Sequence, residues 1–166
     1  MKTLLGLFAF ALLVPALAAD PEKDSSDFAN KVAVANKFEI DTSQLALKYG
    51  KGQDVKKFAQ QMIDDHTKAG QDFKAAVAAA KITEPKDALD ASHEAKYIKL
   101  RAFTTESGFD ASYVAEQLAA HQDAVELFRN YAQNGEAGPL KDFAKKTLPT
   151  LEHHLTMVQG LSAKKT

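Results

Sequence analysis

The chain has 166 residues, 21 basic against 22 acidic side chains, and no cysteine. That composition excludes disulfides, thiolate metal sites and a lipid-bearing thiol. With no basic block interleaved with aromatics, it also excludes nucleic acid as a partner. The length suits one domain whose core holds it together without covalent staples.

The first residues read as an export signal. Lys2 is a short positive start, Leu4 to Val14 is an apolar run too short to span a membrane comfortably, and Pro15 breaks it. Ala16-Leu17-Ala18 then offers a small-x-small cleavage site, so residues 1–18 are expected to be removed, leaving a single domain from 19 to 166. An uncleaved anchor helix is the alternative. Removing Lys2 leaves 20 basic against 22 acidic groups, a formal charge of -2 in place of -1. The expected location is the periplasm or the outer membrane. The mature chain has no transmembrane segment, and the partner class left open is another protein of the envelope.

The rest reads as helix, because apolar residues recur at steps of three and four and nowhere alternate for long. Ser25 or Ser26 is placed to cap a first helix from Asp27 to Tyr49, which Gly50 ends. Asp54 is placed to cap a second from Val55 to Lys81, before the break at Thr83-Glu84-Pro85. A shorter connector helix spans Ala88 to Thr105, and Gly108 follows it. Asp110 is placed to cap a long helix from Ala111 to Gln133, closed by Asn134-Gly135. Pro139 suits the first position of a last helix reaching Leu161, and Pro149 should bend it near Lys145 to Leu148. The predicted fold is all-α: a four-helix bundle of two helical hairpins with a short connector helix.

Each long helix carries a stripe of apolar or small residues with one metal-capable group near its middle: Glu39, His66, His121 and His154. Glu39 lies about 12 residues before the first turn and His66 about 14 after it, so at about 1.5 Å per residue they lie level within about 3 Å. His121 and His154 lie about 16 and 17 residues from the second turn and are level by the same argument. Four polar groups, one per helix, are thus placed to converge in the core. Three neutral nitrogens and one carboxylate suit Zn, Cu, Fe or Ni. Asp65 and Glu152 are candidates to accept hydrogen bonds from the imidazoles, and Tyr113 and Gln117, within two turns before His121, are candidates to orient it. The structural alternative is a polar core in which these groups only hydrogen-bond one another. His93 and His153 read as edge or surface residues, and Gly70 as a point of close contact with the connector helix.

Four segments together, NKFEI..S.LALKYG, VKKFAQQMIDDHTKA, GFDASY...Q...H and LKDFAKKTLPTLEHHL, resemble the exported bacterial family called domain of unknown function 4142. The resemblance runs from Phe28 to Leu155. By position it points to Glu39, Asp65, His66, Phe109, Asp110, Tyr113, His121, Leu148, Pro149 and His154. It implies a ferritin-like helical fold and export, and no assigned reaction. True ferritin-like di-iron proteins carry a glutamate three residues before each ligand histidine. Here those positions are Ile63, Leu118 and Leu151, which argues against ferroxidase, oxygenase or iron-storage chemistry. No nucleophile elbow or phosphate loop is present, and Gly50-Lys51-Gly52 is a turn. The function expected first is a non-enzymatic binding or stress-related module with a buried His/Glu centre. The alternative is a mononuclear metal-binding protein, a carrier or an oxidoreductase, using Glu39, His66, His121 and His154.

Overall fold

The computed structural model describes residues 21–105 and 108–164, so the expected signal segment 1–18 lies outside the described residues. Among the described residues the chain is all-helical, with five helices: α1 Pro21–Tyr49, α2 Gln53–Ala80, α3 Ala91–Ala102, α4 Phe109–Asn134 and α5 Pro139–Ala163. A short 3₁₀ turn, Phe103–Thr105, ends the connector. No described helix is long and apolar enough to cross a membrane.

The long helices pack in a ring, α1 on α2, α2 on α5, α5 on α4 and α4 on α1, and α3 lies against α1 and α4. Asp90 caps α3 by accepting the His93 backbone N–H at 2.8 Å, which starts the connector helix three residues later than expected. Leu100 of α3, only 1% exposed, fastens the connector to the interior.

Three expected caps do other work. Asp54 lies in the first turn of α2 behind Gly52 and pairs with Lys164 at 2.7 Å. Ser25 lies inside α1, and its hydroxyl pairs with the Tyr131 hydroxyl at 2.9 Å. α4 starts from Gly108 in the left-handed region at φ 113°, where glycine carries no Cβ penalty. Asp110 therefore sits in the first turn of α4 and reaches the α1–α2 turn. Its carboxylate accepts the Gly52 N–H at 2.7 Å and the Lys51 N–H at 3.0 Å. A Cβ on Gly52 would stand 3.1 Å from that carboxylate, and one on Gly50 would stand 2.5 Å from the Ala46 carbonyl. One hairpin is thus pinned to the other through a turn that accommodates little besides glycine.

The buried apolar residues fall into two clusters. One gathers Phe28, Val32, Phe73, Phe128, Phe143 and Leu151 with their neighbours. The other gathers Val55, Phe58, Met62, Phe109, Tyr113 and Val158 with theirs. Between them every long helix contributes a buried polar residue: Glu39, His66, His121 and His154, with Thr42 and Gln117 alongside.

Candidate metal centre

The belt follows from helical periodicity. His66 lies four residues after Met62 and seven before Phe73; His121 lies seven before Phe128; His154 lies between Leu151 and Val158 at steps of three and four. Each imidazole occupies a position on its helix that would otherwise hold an aliphatic side chain. His66, His121 and His154 are 7%, 1% and 1% exposed, and Glu39 is 4% exposed.

The three rings face one another. Their centroids are 5.9 Å apart for His66–His121, 5.6 Å for His66–His154 and 5.4 Å for His121–His154. One nitrogen from each lies within 4.8 Å of the other two, a group that could hold a metal ion.

The outer nitrogens define the tautomers. His66 Nδ1–H donates to the Asn36 side-chain carbonyl at 3.2 Å. His121 Nδ1–H donates to the backbone carbonyl of Gln117 at 2.9 Å. His154 Nε2–H donates to the Asp65 carboxylate at 2.9 Å. A neutral imidazole with one nitrogen donating has a lone pair on the other. Those inner atoms, His66 Nε2, His121 Nε2 and His154 Nδ1, are buried without a hydrogen-bond partner. Burial, reinforced by the neighbouring imidazoles, holds His66 well below the ordinary histidine pKa. Burial also lowers His154, although the Asp65 carboxylate pulls the other way. His66 and His154 are therefore held in the uncharged form that offers a lone pair.

Glu39 stands beside this group. Its Oε1 is 3.8 Å from His121 Nδ1, on the outer side of that ring, and its Oε2 has no partner. Burial pushes its carboxyl pKa up, opposed first by His121 and then by a hydrogen bond from Gln117. The sequence-predicted set of four thus resolves into three converging imidazoles and an adjacent carboxylate.

Of the expected supporting residues, Asp65 accepts a hydrogen bond from His154. Gln117 orients His121 through its backbone, while its side chain donates to Thr42 at 3.1 Å. Glu152 does not support an imidazole: it turns outward to Arg129 of α4 at 2.6 Å. Tyr113 does not contact His121 through its hydroxyl, which pairs with Ser43 at 2.9 Å. Gly70 makes room for α1 rather than for the connector helix, since a Cβ there would stand 3.0 Å from the Asn36 amide nitrogen. Asn36, which accepts from His66, is the side chain of this group that sequence reasoning missed. It lies off the α1 stripe, and its only signal was the small residue opposite it. His93 and His153 lie outside the belt as expected, His93 on Asp90 at 2.8 Å and His153 exposed.

The two sides of the triad differ. Towards the second cluster it is closed: Phe58 packs edge-on to His121 at 6.2 Å, and Met62, Gln117 and Val158 have 0% exposure. Towards the first cluster a cavity of about 40 Å³ adjoins all three rings and Glu39. The residues one turn beyond the histidines, Ala69 and Ala124, are too small to fill it.

Residues 13–161 match the family model described as Domain of unknown function (DUF4142), and the chain belongs to that family. No curated protein and no solved structure matches it.

Proposed function

We propose that this member of the DUF4142 family is a mononuclear metal-binding protein that holds one transition-metal ion on His66 Nε2, His121 Nε2 and His154 Nδ1. In the same reading the domain is a ferritin-like four-helix bundle, exported to the periplasm or outer membrane behind the signal formed by residues 1–18.

One observation carries this reading: three inward lone pairs with no donor among them. Three acceptors do not satisfy one another, so a self-contained polar core is the weaker account. Among the described residues five buried side-chain atoms have no partner, all in the belt: the three inner nitrogens, Glu39 Oε2 and Gln117 Oε1. Each such atom costs on the order of 1–3 kcal/mol, and together they rival the whole stability of a typical domain. An ion on the imidazoles removes three of these deficits at once.

The donor set is chemically suited to the task. Neutral imidazoles backed by a carboxylate or a carbonyl are the usual first and second shells of zinc, copper, nickel and iron sites. Metal–nitrogen bonds of about 2.0–2.1 Å in a tetrahedral site hold the nitrogens roughly 3.3 Å apart, so closure from within 4.8 Å asks for side-chain shifts of about 1 Å. Glu39 is near enough to tune His121. The reading assigns binding and leaves the choice between carrier and oxidoreductase to experiment.

Tag-free protein dialysed against trace Zn, Cu, Ni and Co should take up one ion per chain by elemental analysis. Its melting temperature should rise with ion concentration, because a ligand at 100 times its Kd stabilises the native state by about 2.7 kcal/mol. Alanine at any one of the three histidines should weaken uptake at least ten-fold. Uptake near zero with an unchanged melting temperature across the series overturns the proposal.

A further inference from the structure

The closed and open sides of the triad say what else the ion would bind. Resting on the metal reading, we propose that the ion's remaining position faces the cavity between Ala69 and Ala124 and takes an exchangeable small anion of two or three heavy atoms.

Size sets the first limit. A cavity of about 40 Å³ holds two or three heavy atoms, taking roughly 10–15 Å³ for each water-sized occupant. A carboxylic acid with any side chain, or a phosphate, exceeds it. Charge sets the second. Three neutral imidazoles put no charge on the ion itself, and the two carboxylates that line the cavity are set on the outer nitrogens, Asp65 bonded to His154 Nε2 and Glu39 beside His121 Nδ1. A small anion attached to the ion completes both the coordination and the charge balance. Glu39 gives the cavity one polar side, with an Oε2 that has no other partner.

Access sets the third. Asn36 and Phe73 line the cavity, and they also line a surface groove of about 350 Å³ between α1, α2 and the segment at Glu84 and Pro85. A single layer of side chains therefore separates the ion's open side from solvent. Asn36 is half-buried, and His66, which it holds, is the most exposed of the three rings. Asn36 and Phe73 therefore mark the route by which a small anion exchanges.

The probe is azide on the cobalt(II)-loaded protein. Cobalt bound at the triad should give a visible d–d spectrum, and azide should shift it saturably with one azide per ion. Ala124→Leu, which fills the cavity, should keep one cobalt per chain and weaken the azide response at least ten-fold. Where Ala124→Leu fails to fold, Ala69→Val gives the same comparison. Cobalt that binds but is blind to azide overturns this inference and leaves the metal reading standing. So does an azide response undiminished in the cavity-filled variant. Failure of cobalt to bind at all overturns both.

Discussion

His154 Nε2–H donates to the carboxylate of Asp65 at 2.9 Å across the α2–α5 interface, and that bond turns the Nδ1 lone pair of His154 inward. The carboxylate lies 37% exposed at the rim while the ring it holds is 1% exposed. Asp65 thus holds a buried ring in one tautomer from a partly solvated position. Asp65→Ala should lower metal affinity about 10- to 100-fold, the usual effect of losing an outer-shell partner. Competition with a chromophoric chelator checks this. The metal-free variant should also lose about 1–3 kcal/mol of stability, because the buried His154 N–H is left without an acceptor. An unchanged affinity would mean that His154 is oriented by packing alone.

His66→Leu tests whether the belt is retained for binding at the expense of stability. Leucine at this position removes a buried nitrogen without a partner and joins the two apolar clusters. The metal-free variant, in chelator, should unfold at higher denaturant than the metal-free parent, by about 1–3 kcal/mol. The same variant should lose the metal-dependent rise in melting temperature. A destabilised variant would point to a structural role for the ring.

The metal-free protein should lose stability in mild acid. His66 and His154 are both lowered in the folded state, chiefly by burial, so below about pH 6.5 the unfolded chain binds protons that the folded chain refuses. Their contribution is intact above that value and is lost as the pH falls towards their folded pKa, at up to about 1.4 kcal/mol per pH unit per proton. Glu39 has the opposite sign. Its pKa is raised on folding from 4.5, so its contribution is present below that value and is lost as the pH rises through the folded pKa. Melting curves from pH 8 to 5 in chelator should therefore fall below pH 6.5. Glu39→Gln, which removes the opposing effect, should steepen the fall, and His66→Leu should flatten it.

Asp110→Ala provides a control away from the centre. It strips the Lys51 and Gly52 N–H groups of their acceptor and detaches the α1–α2 turn from α4. The loss should be about 1–2 kcal/mol by denaturant titration, the size of a lost capping interaction, with metal affinity unchanged. A large change in affinity would show that the turn positions the centre as well as the hairpin.

Much of this arrangement is legible in the sequence because helix period and rise are rigid. Counting residues from the two turns puts Glu39, His66, His121 and His154 on inward faces at one height, and all four are buried. What periodicity does not encode is the direction of a side chain that starts off the stripe. Asp65 and Glu152 both flank a ligand helix face, yet Asp65 reaches His154 while Glu152 turns to Arg129, the cation waiting on α4. Asn36 escaped for the same reason: its role depends on Gly70 opposite, a relation between two helices and not within one. The cap expected of Asp110 failed because a glycine in the left-handed region starts α4 two residues earlier, leaving the carboxylate free for the neighbouring turn.

Splitting the interior into two oily halves has a dynamic consequence. The partly buried Leu155 touches both halves, and the polar layer between them offers little cohesion without an ion. Each half can then loosen as its own foldon, and backbone amides at the waist should exchange with deuterium through a partial opening far cheaper than global unfolding. An ion bridging three helices would act as a rivet at that waist. Amides of α2, α4 and α5 on both sides of it should then slow together, merging two exchange regimes into one.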